Sequence, residues 1–342
     1  MTPYFPDVRT MSTSLSRRAF FTRSAPPAAK VDGYWTRVHR TAMACRFEIT
    51  LHSQDPRFVP HAQLALNQID RIEAALTVFR DTSELVDVNR RAAREPVAVD
   101  DSLFNLLARC DRMSCETDGA FDITTTPLSR CWGFLRREGR VPTAAEIEAA
   151  LASVGLRHVE LDAHLSTVRF LRPGIELNLG AVGKGYALDE VGATLRAGGA
   201  QHALLSAGRS SLLALGGRHR GWQIDIASPR RESPLARVWL KNAALGTSGA
   251  GEQFVLIDGQ RYGHVLDPRT GHPAQGVLSA SVICASAADA DALSTAFFVA
   301  GPELAERYCA VHRETLALIT PDDGSGRTFV IGRHGGAEVA DA

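Results

Sequence analysis

Two short segments in the C-terminal third carry the side chains best suited to chemistry. Residues 262–271 read YGHVLDPRTG and residues 290–296 read ADALSTA. Asp291 and Thr295 stand four residues apart, so on a helix they share one face. A carboxylate beside a hydroxyl suits Mg²⁺, which takes oxygen ligands and completes its shell with water and phosphate. The structural alternative is that Asp291 caps the helix and Thr295 bonds back to its backbone.

The YGHVLDPRTG segment is predicted to be a strand that runs into a tight turn. Pro268 restricts Asp267 to extended geometry, and the Arg-Thr-Gly that follows completes the turn. We expect Asp267 to hold this turn through its side chain. His264, expected two residues into the strand before the turn, is a candidate general base or phosphate ligand, although a single histidine is often structural.

A glycine-rich segment precedes a predicted helix. Residues 177–190 read LNLGAVGKGYALDE and place Lys184 among three glycines. Glycines let a backbone approach a phosphate closely, and a helix N-terminus favours negative charge. The segment is neither a Walker A sequence nor GxGxxG, so it identifies no nucleotide class. A glycine-rich turn that packs a helix on a sheet is the alternative.

Two aromatic side chains next to polar groups are typical of a ring-binding pocket. Residues 117–128, TDGAFDITTTPL, place Phe121 beside Asp122, and residues 77–89, TVFRDTSELVDVN, place Phe79 after a predicted helix and ten residues before Asn89. Stacking and hydrogen bonding to a heterocycle need this combination. Without further context, a core position explains either aromatic equally well.

The elements that must position these residues form an α+β pattern. Apolar residues at helical spacing predict helices over residues 64–77, 103–117, 143–155, 188–195, 288–300 and 302–312. Short apolar or alternating runs predict strands over residues 46–51, 159–163, 167–171, 202–206, 222–226, 238–240, 254–257, 278–285, 317–319 and 329–331. Helices concentrate early and strands late without a regular βαβ alternation. The predicted class is therefore α+β, with a mixed β-sheet core and packed helices.

Length and composition predict one large domain after a disordered tail. Residues 1–34 are rich in Ser, Thr, Pro and Arg, and we expect the folded domain to occupy residues 35–342. Lys+Arg and Asp+Glu both number 38, so net charge gives no general attraction to nucleic acid or to an anionic membrane. No apolar run is long enough to span a bilayer.

The tail contains SRRAFF at residues 16–21, which resembles a twin-arginine export signal. The continuous apolar stretch that should follow is interrupted by Thr22, Arg23, Pro26 and Pro27. We therefore expect an uncleaved tail and a cytoplasmic protein, with periplasmic export as the alternative.

Taken in this order and at these separations, the five segments resemble the ApbE family, the FAD:protein FMN transferases. The resemblance runs from about Met43 to Gly301 and is most specific in residues 262–271 and 290–296. It implies an α+β flavin-binding fold and Mg²⁺-dependent transfer of FMN from FAD to a Thr or Ser hydroxyl of a target flavoprotein, with release of AMP. It leaves the acceptor protein and the oligomeric state open.

The resemblance also implies roles for individual residues. Asp291, Thr295 and the backbone carbonyl of Ala181 are the implied metal ligands. His264 becomes the leading candidate to activate the incoming hydroxyl, and Asp291 is the second implied catalytic residue. The implied FAD contacts are Met43, Phe79, Ala120, Phe121, Asp122, Asn178, Lys184, His264 and Val265.

The sequence departs from the family pattern at three places. The usual Met-Gly-Thr is Met43, Ala44 and Cys45, a frequent aspartate is Asn178, and the usual Gly-Gly-Asp loop is GRSS at residues 208–211. The last change affects the adenine and phosphate side of the pocket or the docking of the target protein. Two alternatives therefore stay open, a Mg²⁺-dependent FAD hydrolase that gives FMN and AMP, and a non-catalytic FAD-binding carrier.

Overall fold

A computed structural model describes residues 35–52, 58–136, 139–217, 219–251, 254–257 and 259–340. The predicted disordered tail, with its twin arginine, lies outside the described residues. Within these ranges, no helix combines the length and the hydropathy that crossing a membrane requires.

Helices and strands follow one another irregularly along the chain. The helices are α1 (Phe58–Leu76), α2 (Glu84–Arg91), α3 (Asp101–Glu116), α4 (Thr126–Cys131), α5 (Ala144–Leu151), α6 (Gly183–Ala197), α7 (Ala287–Ala300) and α8 (Pro302–Val311). The strands are β1 (Trp35–Ala42), β2 (Cys45–His52), β3 (Val97–Ala98), β4 (Val159–Asp162), β5 (Thr167–Phe170), β6 (Ala203–Ala207), β7 (Ser211–Leu215), β8 (Trp222–Ile226), β9 (Ala236–Leu240), β10 (Ala243–Gly249), β11 (Phe254–Ile257), β12 (Gln260–Gly263), β13 (Val277–Cys284), β14 (Leu316–Pro321), β15 (Phe329–Gly332) and β16 (Ala337–Val339).

An eight-stranded sheet with the order β1-β2-β6-β7-β10-β13-β14-β15 forms the centre of the fold. Its two faces pack against different partners because successive side chains of a strand point to opposite faces. Leu205 and Leu213 lie in one core cluster with α1 and α6. Leu204 and Leu212 lie in another with the three-stranded sheet β16-β9-β8. The central strands are therefore covered on both faces.

The predicted α+β class is confirmed by this arrangement of helices on a separate sheet. The sheet differs from the expected mixed one, because every strand pair among the described residues is antiparallel. Short hairpins such as β1–β2 and β6–β7 explain the difference, since a tight turn can join only antiparallel neighbours.

Two central strands were not predicted, and burial on both faces is the reason. All five residues of β7 are buried, as are the first four of β10, and both strands are built from small or apolar residues. Such strands lack the polar alternation by which a half-buried strand is recognised. The helix expected over residues 143–155 begins with a capping box between Thr143 and Glu146 and ends at Leu151, before the expected Gly155.

Two glycines bring α7 unusually close to its neighbours. A Cβ atom added at Gly185 of α6 would lie 2.0 Å from the Ala287 carbonyl oxygen. One added at Gly246 of β10 would lie 2.4 Å from the carbonyl group of Ala290. Because neither position has room for a side chain, the backbones of α6, α7 and β10 pack in direct contact.

We expect Gly246→Ala to destabilise the fold by about 2 kcal/mol or more, because the added methyl group can be accommodated only by moving α7 away from the sheet. Urea unfolding measures this loss. Gly263→Ala is the matched control, since a Cβ atom there meets nothing within 4 Å. Equal stabilities of the two variants would contradict the close packing.

Candidate functional site

Asp291 lies on α7 with only 5% of its surface exposed, and both carboxylate oxygens are hydrogen-bonded. Its Oδ2 accepts from the Gly185 backbone N–H at 2.8 Å, and its Oδ1 accepts from the Ser211 hydroxyl at 2.7 Å. Burial raises the pKa of Asp291 to about 6, although the charge of Lys184 and these two donors act in the opposite direction. The site therefore contains a buried carboxylate whose charge is incompletely compensated.

Thr295 lies one turn further along α7, as its spacing predicts. Its hydroxyl donates to the Asp291 carbonyl oxygen at 3.1 Å and lies 3.3 Å from the Ser248 hydroxyl of β10. The predicted back-bonding of Thr295 is therefore present. The alternative in which Asp291 caps the helix is wrong, because Ser286 is the N-cap and accepts from the Asp289 N–H.

The first turn of α7 is held by charged side chains from two other helices. Asp189 of α6 accepts from the N–H groups of Ala287 and Ala288 at 2.8 and 3.0 Å and from the Ser286 hydroxyl at 2.6 Å. Arg109 of α3 donates to both carboxylate oxygens of Asp289. A carboxylate at a helix N-terminus is favourable because it meets unpaired N–H groups and the positive end of the dipole. This anchoring fixes the position of Asp291 one turn later.

The sequence analysis predicted neither of the two charged side chains that hold α7, Asp189 and Arg109. The Ser286 cap has a local signal, since Ser-Ala-Ala-Asp at residues 286–289 fits the pattern of a helix start. Asp189 and Arg109 have no such signal, because their partners on α7 are 98 and 180 residues away.

Lys184 lies in the first turn of α6, and its ammonium group donates to the Ser210 hydroxyl at 2.5 Å. Ser210 lies in the turn between β6 and β7, and Ser211 is the first residue of β7; with Gly208 and Arg209 they form the segment called here the 208–211 loop. This loop therefore contacts the two charged residues of the site, Lys184 through Ser210 and Asp291 through Ser211.

The predicted Met43 position lies in the turn between β1 and β2, which reaches the same loop. Met43 and Ala44 have φ angles of 48° and 56°, as a two-residue type I′ hairpin turn requires. The Gly208 N–H donates to the Arg46 carbonyl at 2.8 Å. Burial raises the pKa of Cys45, and the nearby Lys184 charge partly opposes that rise. Two of the three departures from the family pattern are thus in contact with each other.

The predicted Ala120, Phe121 and Asp122 trio forms part of the interior. Ala120 and Phe121 are fully buried in the main core cluster. Asp122 accepts from the N–H and hydroxyl of Thr124 and from the Leu156 N–H. The trio is linked to the glycine-rich segment because the N–H of Asn178 donates to the Ile123 carbonyl at 2.8 Å.

The glycine-rich segment is itself fixed in place. Asn89 donates to the Leu177 carbonyl at 3.0 Å and accepts from its N–H at 2.8 Å, so one side chain satisfies both backbone groups. The Asn178 side chain turns back onto its own loop and accepts from the Gly180 N–H at 2.8 Å. Ala181, the predicted carbonyl ligand, packs against the same core cluster as α7.

Phe79 lies between α1 and α2 and is 84% exposed. It lines a cavity of about 300 Å³ together with Asn89, Thr126 and the paired Arg130 and Glu176. The Thr126 hydroxyl in this lining is buried and makes no hydrogen bond within the described part of the chain. An exposed aromatic face beside an unsatisfied hydroxyl suits a planar heterocycle.

His264 follows β12 instead of lying inside a strand, which corrects the predicted position. The strand ends at Gly263, and the chain then bends so that the Val265 carbonyl accepts from the Ala274 N–H at 2.9 Å. The predicted role of Asp267 in the turn is confirmed, since it accepts from the Arg269 N–H at 2.9 Å. His264 is half-buried, and Val265 packs against the core cluster that includes α7.

The donor chemistry near Asp291 fits a hard divalent cation. Asp291, Thr295 and the Ala181 carbonyl could supply one carboxylate, one hydroxyl and one carbonyl oxygen, which is a set that Mg²⁺ accepts when water and phosphate complete its shell. Across the described ranges there is no cluster of three or more His, Cys, Asp or Glu residues that could hold a metal by itself. A cation bound here would complete its shell with water and, when FAD is present, with phosphate oxygens.

The pKa of Asp291 gives a pH-dependent prediction for the metal-free protein. Because the folded-state pKa, about 6, lies above the ordinary 3.8, the carboxyl stabilises the fold at low pH and loses that contribution as pH rises through 6. We expect the unfolding free energy of the unsubstituted protein, relative to Asp291→Asn, to fall by roughly 2–3 kcal/mol between pH 4 and pH 7.5. Urea unfolding of both proteins in EDTA measures the difference, and a constant or rising difference would contradict the burial of this charge.

Comparisons with known proteins give one consistent result. The model of the ApbE family matches residues 43–320. The FAD:protein FMN transferase of Salmonella typhimurium is 29% identical over 307 residues, which cover 87% of this chain and 85% of that protein. The FAD:protein FMN transferase of Treponema pallidum is 33% identical over 290 residues, which cover 79% of this chain and 78% of that protein.

Solved structures agree with the sequence relatives. The crystal structure of the ApbE protein from Thermotoga maritima has a TM-score of 0.79 at 29% identity and covers 88% of this chain and 97% of that one. The apo form of the Pseudomonas stutzeri flavinyl transferase ApbE has a TM-score of 0.77 at 28% identity, with 89% and 96% covered. Family model, sequence relatives and fold together show that this chain belongs to the ApbE family.

Proposed function

We propose that this protein transfers FMN from FAD to a Thr or Ser hydroxyl of a target flavoprotein and releases AMP. Relatives named FAD:protein FMN transferase, similar over most of the chain, support the reaction class. The observation that carries the proposal is that the 208–211 loop contacts both Lys184 and Asp291. A metal-bound pyrophosphate needs both charges, the lysine for its phosphate oxygens and the carboxylate for its metal ion.

The reaction breaks one bond in the pyrophosphate of FAD. The acceptor oxygen attacks the phosphorus on the FMN side, the bond from that phosphorus to the bridging oxygen breaks, and the bridging oxygen leaves with AMP. The acceptor loses its proton and gains a phosphodiester link to FMN. Catalysis of this kind rests on positioning and charge neutralisation more than on covalent chemistry by the protein.

Lys184 would place a positive charge on the pyrophosphate from the first turn of α6, where the helix dipole also favours an anion. Asp291, Thr295 and the Ala181 carbonyl would hold Mg²⁺. When bound, the ion would polarise the pyrophosphate and stabilise the charge that develops on AMP. The chain's own contribution is a buried carboxylate oriented by Gly185 and Ser211 before any ligand arrives.

His264 would accept the proton of the incoming hydroxyl. Histidine side chains suit this role because their ordinary pKa lies near neutral pH. The turn held by Asp267 and Pro268 limits the movement of the His264 backbone. Phe79 would cover the ring of the flavin, and the cavity it lines with Thr126 is where we place one heterocycle of FAD. Met43 would contact FAD from the β1–β2 turn.

The direct test incubates the protein with FAD, Mg²⁺ and a panel of candidate target flavoproteins that carry an exposed Thr or Ser. We expect a fluorescent flavin that stays on the target in a denaturing gel, together with one AMP for each flavin attached. AMP and free FMN without labelling of any target would instead identify a hydrolase. Tight FAD binding without AMP release at any Mg²⁺ concentration would identify a carrier.

We expect Asp291→Ala to abolish Mg²⁺-dependent AMP release while the fold remains intact, because it removes the only carboxylate proposed for the metal. AMP release at several Mg²⁺ concentrations, with far-UV circular dichroism, measures both effects. Asp225→Ala is the matched control, since Asp225 pairs with Arg237 in the separate three-stranded sheet. Full activity of Asp291→Ala would remove the metal assignment.

We expect His264→Ala to slow FMN transfer by roughly 100-fold or more at saturating FAD, because general base catalysis contributes about that much. Single-turnover transfer to a labelled target measures the rate. FAD affinity, measured separately by fluorescence quenching, distinguishes a catalytic loss from a binding loss. An unchanged rate would exclude His264 as the base.

A further inference from the structure

The 208–211 loop of this chain, GRSS, brings two serines against the two charged residues of the site. Ser210 and Ser211 are 6% and 0% exposed, so neither hydroxyl is a surface group. The Ser211 hydroxyl donates to Asp291 Oδ1 at 2.7 Å, and the Ser210 hydroxyl accepts from Lys184 Nζ at 2.5 Å. The two hydroxyl oxygens are 3.5 Å apart, the outer limit of a hydrogen bond.

The strand register places Ser211 on the part of the sheet that packs against α7. Ser211 is paired with Gly246 across β7 and β10, and Gly246 is the residue whose missing side chain lets α7 approach the sheet. The Ser210 carbonyl accepts from the Thr247 N–H at 2.8 Å, which fixes the end of the loop to the same strand. The positions of both serines are therefore set by backbone pairing and not by their own side-chain contacts.

The two serines also determine how the opposite charges meet. Among the described residues, Lys184 donates to Ser210, and the Asp291 carboxylate accepts from Ser211 and Gly185. In a buried site of low dielectric, a lysine and a carboxylate attract strongly and tend to form a direct ion pair. A direct pair would use the positive charge needed by the pyrophosphate and the oxygens needed by the cation. Hydroxyl groups between them give the ammonium and the carboxylate hydrogen-bond partners while leaving both charges available to the ligand.

We propose that Ser210 and Ser211 are positioning residues that hold the Lys184 ammonium and the Asp291 carboxylate apart, so that the two charges act on a single metal-bound pyrophosphate. This inference rests on the proposed function. It also gives a physical role to the loop in which the sequence departs from the family pattern, because the two hydroxyls orient the charged groups instead of adding another charge.

The first test measures Mn²⁺ binding to the protein without FAD, by electron paramagnetic resonance of the free ion. Groups that orient a metal ligand typically contribute about 10–100-fold to metal affinity, so we expect Ser211→Ala to weaken Mn²⁺ binding at least tenfold. Ser211→Thr keeps the donor, and we expect it to remain within about threefold of the unsubstituted protein. Ser281→Ala is the matched control, since Ser281 is equally buried on β13, two strands away in the same sheet, and contacts Thr247 instead of Asp291.

The second test separates the two serines. We expect Ser210→Ala to raise the KM for FAD about tenfold, with a smaller change in kcat, because it frees Lys184 to pair with Asp291 and so withdraws its charge from the pyrophosphate. If the loop were merely structural, Ser210→Ala would change KM and kcat together. If Ser211→Ala fails to fold, Ser210→Ala and Ser211→Thr still decide the matter, because a Ser210→Ala variant with unchanged KM for FAD would overturn the proposal.

The outcomes distinguish this inference from the proposed function. Loss of Mn²⁺ binding in Asp291→Ala together with normal binding in Ser211→Ala would overturn the role of the loop alone. Absence of Mn²⁺ binding by the unsubstituted protein would overturn both the metal site and the positioning role. Weakened binding in Ser211→Ala, with normal binding in Ser211→Thr and Ser281→Ala, would support the inference.

Discussion

The close packing of α7 against α6 and β10 is the constraint on which the site depends. Gly185 and Gly246 have no space for a Cβ atom, and the approach they permit lets a backbone N–H of α6 donate to the carboxylate of Asp291 on α7. The Asp189 cap then fixes the start of α7 from the same helix that carries Lys184. Helix α6 therefore supplies the Lys184 ammonium, orients the Asp291 carboxylate and anchors α7, the helix that carries Asp291.

Burial of Asp291 has an energetic cost that the apo protein does not fully offset. Two hydrogen bonds and a nearby lysine leave the pKa of the carboxyl raised to about 6. A divalent cation would relieve this cost, since a positive charge beside a buried carboxylate favours its ionised form. Stability given up in the folded apo protein would be recovered when metal and pyrophosphate bind, and the GRSS loop would keep the charged groups separate until then.

Local sequence patterns predicted the parts of this site that local structure determines. The spacing of Asp291 and Thr295 identified a shared helix face, and Pro268 identified the turn that Asp267 holds. The contact between Ser211 and Asp291 joins residues 80 positions apart, and it depends on β7 and β10, whose uniform burial hides their strand character. Family resemblance supplied the order of the segments, but the GRSS loop departs from that pattern, so the role of its serines required the structure.

The proposed role of Asp291 and Lys184 is to bind one metal-bound pyrophosphate together. A crystal structure of the protein with FAD and Mn²⁺, with data collected at the manganese absorption edge, would locate both the ion and the pyrophosphate. We expect an anomalous peak within coordination distance of an Asp291 carboxylate oxygen and the Thr295 hydroxyl, with the Lys184 ammonium in contact with the pyrophosphate. An anomalous peak elsewhere, or FAD bound with its pyrophosphate remote from Lys184, would contradict the proposed role.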